Sequence, residues 1–285
     1  MARPGKPMHI VRRTVIAVIL CGVTFWALFP FYWALTTSLK PKQEVFTISY
    51  LSIPFLQYRP TLDNWREELA VPGTQKIIWT SVVVATGSAL LAVFLGCLAG
   101  YALARFRFGR IHSKDITLWF LGQNILPGVV LVVPFFLLMK AAHLLDSRIA
   151  LMLANSTFTI PFVTIVMRAM FKELPEELEE AALVDGYTRY GAFRKIVLPL
   201  AAPAITAVSF IAFAQAWNEF LFALTLSYRD AITIPVWIAG SESTRGVQFW
   251  FIATRALVAL TPPTILVLLG QRFIVRGLTF GALKG

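Results

Sequence analysis

The stretch IIWTSVVVATGSALLAVFLGCLAGYAL, residues 77–103, runs for 27 residues without a charged side chain. A helix needs about 20 mostly apolar residues to cross the hydrocarbon core of a bilayer, and in lipid it satisfies its own backbone hydrogen bonds. The stretch therefore predicts a transmembrane helix. The whole chain agrees, since 57% of its 285 residues are hydrophobic and 14% are charged, whereas a soluble domain carries roughly a quarter charged residues.

Outward from this helix, further apolar stretches predict spans at about 14–39, 116–139, 149–170, 201–226 and 247–271. Prolines inside several of them predict kinks, which are tolerated because neighbouring helices satisfy the freed backbone groups. The first span begins with basic residues, as a signal peptide does, but its apolar run exceeds the usual core of about 7–15 residues. We therefore prefer a retained span. The sequence predicts an all-α integral membrane protein whose six transmembrane helices form a single domain, 1–285.

The Lys and Arg residues between the spans predict the orientation, because cytoplasmic loops carry an excess of them. With the N-terminus in the cytoplasm, the inner segments hold sixteen and the outer segments nine. The outer total is raised by the loop 40–76, where four acids offset five bases. We therefore expect two cytoplasmic termini, an external loop at 40–76 with a short helix, and a cytoplasmic loop at 171–195. The net charge of +11 follows from this topology and from anionic lipid, so no nucleic acid partner is implied.

Motifs that carry chemistry are sparse in this sequence. It has no GxxxxGK[ST] loop, so the chain is not expected to bind ATP by that route. Cys21 and Cys97 lie in apolar runs, where cysteine behaves as a small hydrophobe, and the three histidines share no metal-ligand spacing. The absence of paired catalytic carboxylates and of a nucleophile–base set disfavours an integral-membrane enzyme. We expect no metal and no cofactor on this chain.

The cytoplasmic loop contains KELPEELEEAALVDG, residues 172–186, which predicts a helix. Pro175 suits the first turn, glutamates favour the positive N-terminal end of the helix dipole, and Gly186 can end the helix with a positive φ. YTRYGAFRK, residues 187–195, predicts a second short helix. One face of the first helix, at i, i+3, i+4 and i+7, is formed by Leu178, Ala181, Ala182 and Asp185. The two alanines leave a low surface over which another protein can close, although a merely solvated loop is the alternative.

Recognition of a family rests on this same loop. EAALVDG, nine residues and IVLP resemble the EAA motif, E-A-A-x(3)-G-x(9)-I-x-L-P, of ATP-binding-cassette importer permeases. Its positions are filled by Glu180, Ala181, Ala182, Gly186, Ile196, Leu198 and Pro199. ALFPFYWALTTSLKP, GYALARFRF, WNEFLFALTLS and QRFIVRGLTFGALKG are similar to the carbohydrate-uptake branch, of the maltose-transporter type. The resemblance covers nearly the whole chain.

The resemblance implies a subunit without chemistry of its own. Two permease subunits form the pore, two ATPase subunits hold ATP and Mg, and an external solute-binding protein delivers the carbohydrate. The helix that carries the EAA motif is called the coupling helix in this family. When the ATPases close on ATP, the coupling helices move inward and the pore opens outward. The residues implied to dock on the ATPase are Leu178, Glu180, Ala181, Ala182, Asp185 and Gly186. Gly281 and Lys284 in the tail are implied to reach the ATPases, and the complex would lie in a bacterial or archaeal cytoplasmic membrane.

Polar side chains inside the spans are candidates for the translocation pathway. They are Gln123, Asn124, Asn155, Gln215, Asn218, Glu219 and Arg255, of which we select Asn124, Asn155, Asn218, Glu219 and Arg255. The alternative for each is an interhelical hydrogen bond that only holds the bundle together. Glu219 and Arg255 lie roughly 10 Å and 12 Å from the outer ends of consecutive spans. We hypothesise that they form an ion pair when the pore is closed to the outside.

Two other functions stay open at this point. The same class of importer could carry glycerol phosphate, a polyol or an amino acid, because the EAA motif would be shared. A stand-alone secondary transporter or channel would lack the acidic cytoplasmic helix and would work without ATPase subunits. Substrate-dependent stimulation of ATPase activity separates the cargoes, and co-purification with an ATPase subunit separates an importer from a stand-alone transporter.

Overall fold

The protein is described here by a computed structural model, which covers residues 6–47, 52–109, 111–240, 242–243 and 246–279. Within these residues the chain is almost entirely helical, with one antiparallel pair of two-residue strands. The elements in chain order are α1 (Lys6–Ser38), a 3₁₀ turn (Lys42–Glu44), α2 (Asp63–Ala70), α3 (Thr74–Arg105), α4 (Ser113–Ile125), α5 (Gly128–Ala141), α6 (Arg148–Glu173), α7 (Glu177–Val184), α8 (Arg189–Ala192), a π-helical turn (Phe193–Val197), α9 (Leu198–Trp217), α10 (Leu221–Leu226), α11 (Ile234–Ala239), β1 (Glu242–Ser243), β2 (Gly246–Val247) and α12 (Phe249–Thr279). The predicted all-α class is confirmed.

Five helical runs in the described chain are long and apolar enough to cross a membrane. They lie in α1, in α3, in α6, in the run from α8 through α9, and in α12. The third predicted span, 116–139, is instead a pair of helices, α4 and α5, bent by 94°. Counting that pair as one span gives up to six. The predicted fifth span is also interrupted, because α9 ends at Trp217 and the helix resumes as α10.

The bend between α4 and α5 has a local cause in the sequence. Pro127 has no N–H to donate, and its ring disfavours the helical conformation in the residue before it. Leu126 accordingly takes φ −65° and ψ 123°. Other predicted kink positions, Pro134 and Pro161, lie inside helices that continue past them. A proline in these spans therefore breaks the helix only at residue 127.

Contacts divide the chain into two compact units, residues 1–74 with 240–260 and residues 75–239 with 261–285. In the first unit, α2 is the short helix that the sequence predicts in the loop 40–76. Its Asn64 is 1% exposed, and its Nδ2 donates to the carbonyls of Ser38, at 3.0 Å, and Lys40, at 2.8 Å. These bonds attach α2 to the end of α1. The part of the loop that contains α2 is therefore held against α1 and is not a loose connector.

The core of the second unit is a seam between α3, α6 and α9. A Cβ added at Gly96 would lie 2.6 Å from Val163 Cγ1, and one added at Gly100 would lie 2.9 Å from the backbone nitrogen of Arg168. Small residues at these positions let the two helices approach backbone to backbone, as is common between membrane helices. The fully buried apolar side chains of this seam include Ala92, Val163, Met167, Phe171, Val197, Ala201, Val208 and Ala212. Helices α3 and α6 are thus packed without a gap.

A single carboxylate organises two loops at the other end of this unit. Asp146, which has a φ of 59°, accepts hydrogen bonds at 2.9–3.1 Å from the backbone N–H groups of residues 228–231. Burial alone would raise the pKa of Asp146, but the four N–H donors together hold it below its usual value. The loop between α5 and α6 is therefore joined to the loop that follows α10.

Candidate functional site

The predicted cytoplasmic helix forms as α7 and ends as the sequence indicates. The N–H of Tyr187 donates to the carbonyl of Ala182 at 3.0 Å, and the N–H of Gly186 donates to Leu183 at 3.1 Å. Gly186 has a φ of 86°. These two bonds and the left-handed residue make a Schellman C-cap, which favours glycine. The prediction that Gly186 ends the helix with a positive φ is confirmed.

Helix α7 is attached to the end of α3 by a buried ion pair. Arg105 Nε lies 2.7 Å from Glu179 Oε1, and the other Glu179 oxygen accepts from the hydroxyl of Tyr101 at 2.5 Å. Arg105 Nη2 also donates to the carbonyl of Leu174 at 2.8 Å. The side chains of Arg105 and Glu179 are only 8% and 14% exposed. We call these four residues the clasp; charge-assisted hydrogen bonds of this kind are the stronger ones in proteins.

The opposite face of α7 is left open to solvent. Leu178 is 43% exposed and Val184 is 88% exposed, and Glu180, Ala181 and Asp185 are exposed as well. An exposed apolar strip bordered by acidic residues is typical of surfaces that contact another protein. Docking of an ATPase subunit on this strip stays a prediction.

One member of the predicted face points elsewhere. Ala182 is 2% exposed and follows Glu179 by three residues, so it lies on the side of the helix that the clasp holds against the chain. Ala182 is therefore not part of the exposed face of α7; it packs on the side of the helix that contacts the rest of the chain. The contact between Tyr101, Arg105 and Glu179 was not predicted from the sequence. The sequence contained one signal for this contact, namely a basic residue just after the end of a predicted span, together with an acidic loop.

A polar cavity of about 350 Å³ lies at the two interruptions of the spans. Its polar lining comes from three helices and the break between α9 and α10. These residues are Gln123 and Asn124 at the end of α4, Asn155 and Thr159 on α6, Gln215 on α9, and Glu219. The structure thus brings together three of the predicted pathway residues, Asn124, Asn155 and Glu219. Asn218 is not among the lining residues, and its Nδ2 donates to Ala214 within its own helix at 2.8 Å.

Glu219 and Arg255 each have a partner other than the one hypothesised. The carboxylate of Glu219 accepts from the N–H groups of Phe222, at 2.8 Å, and Ala223, at 3.1 Å, and so caps α10. Arg255 Nε lies 2.6 Å from Glu68 Oε1, and the Glu68 side chain is 1% exposed. In this structure each side chain thus has hydrogen-bonding partners within its own unit, and an ion pair formed when the pore is closed to the outside stays a prediction. The predicted tail contacts, Gly281 and Lys284, lie outside the described residues.

Helical runs long enough to cross a membrane, an exposed acidic helix (α7) and a polar cavity at two helix interruptions are features of membrane transport subunits. Residues 92–280 match the model of the family described as binding-protein-dependent transport system inner membrane component. The chain belongs to that family. The predicted resemblance to importer permeases of the ATP-binding-cassette type is thereby confirmed.

Relatives of full length extend this match. The chain is 33% identical over 282 residues to the sulfoquinovosyl glycerol transport system permease protein SmoH of Agrobacterium fabrum, covering 99% of this chain and 95% of that one. It is 32% identical over 286 residues to the trehalose/maltose transport system permease protein MalG of Thermococcus litoralis, covering 98% of each. A crystal structure of a bacterial ABC transporter for the acidic polysaccharide alginate matches with a TM-score of 0.74 at 19% identity. That match covers 95% of this chain and 99% of that one.

Proposed function

We propose that this chain is the transmembrane permease subunit of an ATP-driven, binding-protein-dependent importer for a sugar or sugar derivative. The observation that carries the proposal is α7, an acidic helix clasped to α3 on one face and exposed on the other. Permeases of this family serve transport systems, and the relatives named above include permeases of trehalose, maltose and sulfoquinovosyl glycerol systems. The chain itself binds no cofactor in this proposal.

The partners follow from the exposed face. An ATPase subunit, which holds ATP and Mg, closes over Leu178, Ala181 and Asp185, with Glu180 at the edge and Gly186 as the joint. The acids around this strip favour a cleft that carries positive charge, since complementary potentials set specificity and association rate. A second permease subunit completes the pore, a second ATPase serves that subunit, and an external solute-binding protein delivers the cargo.

The clasp connects α7 mechanically to the membrane-spanning helix α3. When the ATPases close and carry α7 with them, the ion pair between Glu179 and Arg105 pulls on the end of α3. Because α3 packs against α6 along the Gly96 and Gly100 seam, both helices follow. In this scheme the permease converts ATPase closure into a change in access to the pore.

Assembly with the ATPase tests this function directly. Leu178→Arg and Ala181→Arg place a cation in the docking strip, and both are expected to abolish co-purification with the ATPase subunit and uptake. Tyr228→Arg is the matched control, because Tyr228 is 72% exposed and lies on a loop that is not part of the docking helix. Assembly that is unaffected by both strip variants would refute docking through α7.

Orientation is tested by labelling from one side of the membrane. We propose cytoplasmic termini and a cytoplasmic α7 in the inner membrane. A cysteine at Thr61 is then expected to react with an impermeant thiol reagent added outside intact spheroplasts, and a cysteine at Glu177 is not. Labelling of Glu177→Cys from outside would overturn the mechanism, because the docking helix would lie on the wrong side for the ATPase.

A further inference from the structure

We infer that the cavity between α4, α6 and α9 is a subsite for an uncharged sugar ring, formed within this subunit. The inference rests on the proposed function and specifies its cargo: neutral polyhydroxyl compounds are accepted here, and phosphates, sulfonates and carboxylates are not. Three observations carry it, namely the position of the cavity, a buried amide oxygen without a partner among the described residues, and the charge of the lining.

The cavity is located where irregular backbone is expected to have a purpose. Non-helical backbone inside a membrane protein is tolerated where it lines a cavity, and interrupted helices commonly form the substrate sites of transporters. The bent pair α4 and α5 and the break between α9 and α10 both open onto this cavity. Two separate interruptions, in segments about ninety residues apart in sequence, meet at one polar space.

Asn155 supplies an unmet hydrogen-bonding group. Its side chain lines the cavity, the residue is only 5% exposed, and its Oδ1 has no hydrogen-bond partner among the described residues. Buried polar atoms are usually paired, and those that are not call for a missing partner. A sugar hydroxyl that donates to Oδ1 fits this requirement.

The remaining lining sets the chemistry of the ligand. Glu219 is the only charged residue among the described lining residues, which include no Lys, Arg or His. A carboxylate and four amides accept from and donate to hydroxyl groups, but the carboxylate repels an anion. Phe158, Phe162 and Phe222 add apolar ring surface, against which the C–H face of a sugar can pack. The volume of about 350 Å³ is near the lower end of the range of about 300–1,000 Å³ for small-molecule sites.

Protection of an introduced cysteine tests the subsite in the complete transporter. Cys21 and Cys97 are first replaced by alanine, and Asn124→Cys places one thiol at the exposed edge of the cavity. The rate of its reaction with a small hydrophilic methanethiosulfonate is measured alone and with each sugar of two panels. The neutral panel contains glucose, maltose, trehalose and cellobiose, and the anionic panel contains glucose 6-phosphate, glucuronate and glycerol 3-phosphate.

At least one neutral sugar is expected to slow labelling, by about tenfold at ten times its Kd, because only unoccupied sites react. No anionic ligand is expected to protect. Adding Asn155→Leu is expected to raise the sugar concentration needed for half-maximal protection about fivefold. This factor in Kd corresponds to the loss of one neutral hydrogen bond. Thr157→Val is the control on the same helix, since Thr157 Oγ1 bonds only its own helix backbone at Leu153, at 2.8 Å.

The outcomes separate this inference from the proposed function. If the complex assembles and the binding protein stimulates its ATPase, but no neutral sugar protects, the subsite is wrong and the importer function stands. Protection by the anionic panel, or protection that survives Asn155→Leu unchanged, also overturns the inference. If no complex with an ATPase forms at all, the proposed function itself fails.

Discussion

Replacement of Arg105 by methionine removes the charge of the clasp but keeps most of the apolar volume of the side chain. Glu179 would then be left 14% exposed with the Tyr101 hydroxyl as its remaining side-chain partner. Breaking one partner of a buried ion pair costs about 3–5 kcal/mol. We take about 3 kcal/mol, because this pair lies near the surface. At about 1.4 kcal/mol for each factor of ten, α7 should open locally about 150 times more often.

Hydrogen exchange measures that opening in the purified transporter. The peptide that covers residues 174–188 is expected to exchange about two orders of magnitude faster in Arg105→Met than in the wild type, while peptides from α6 keep their rates. Glu176→Gln is the matched control: Glu176 also faces Arg105, at 3.6 Å, but is 68% exposed, and exposed pairs contribute about 1 kcal/mol or less.

A double-mutant cycle decides whether the ion pair is the cause. Glu179→Gln removes the unpaired charge. The double variant with Arg105→Met should therefore recover part of the local stability of α7 that Arg105→Met alone removes. In transport assays the single Arg105 variant is expected to keep ATPase activity but to lose uptake. Strictly additive effects in the cycle, or unchanged exchange of α7 in Arg105→Met, would refute the clasp.

Three further predictions concern the joint, the loop carboxylate and the buried pair. Gly186→Val should weaken assembly with the ATPase by about 1–3 kcal/mol, the usual cost of strained backbone. A new Cβ there meets no atom within 4 Å, so Gly186→Asn, which tolerates positive φ, should be milder. The Asp146 contribution to stability is present above the unfolded pKa of about 3.9 and is lost as pH falls through the lower folded pKa. The Tm of the wild type should therefore fall more steeply than that of Asp146→Asn below about pH 4. Arg255→Gln should lower stability by about 3–5 kcal/mol, and Glu68→Gln in the same chain should restore part of it; equal Tm values for Arg255→Gln and the wild type would exclude a stabilising pair.

The spans were predictable because the length of an apolar stretch can be read from neighbouring residues in the sequence. The predicted stretch 77–103 lies within α3, and 149–170 lies within α6. The Schellman cap at Gly186 was predictable for the same reason, since the residues that decide it are neighbours in sequence. The short helix in the loop 40–76 also follows from its own residues.

Properties that depend on contacts distant in sequence could not be predicted. Glu68 and Arg255 are 187 residues apart, so the sequence pattern pointed instead to Glu219, which lies at a similar predicted depth in the consecutive span. Among the prolines predicted to kink the spans, only Pro127 ends a helix in the described chain, whereas Pro134 and Pro161 lie inside helices that continue past them. The inward position of Ala182 follows from the clasp, whose members come from two segments 74 residues apart.

Helix α3 can act as a rigid lever that tilts about its contact with α6 at Gly96 and Gly100. At 1.5 Å per residue, its 32 residues give a rod about 48 Å long. One end carries Arg105, and near the other end Ser81 Oγ accepts from the N–H of Ile234 at 2.8 Å. A tilt of about 5° about the seam at Gly96 and Gly100 moves the Arg105 end by about 1 Å and the Thr74 end by about 3 Å in the opposite direction. Under the proposed function, a small displacement of α7 would therefore reach the segment that contains Ile234, near the far end of α3, without any helix having to deform.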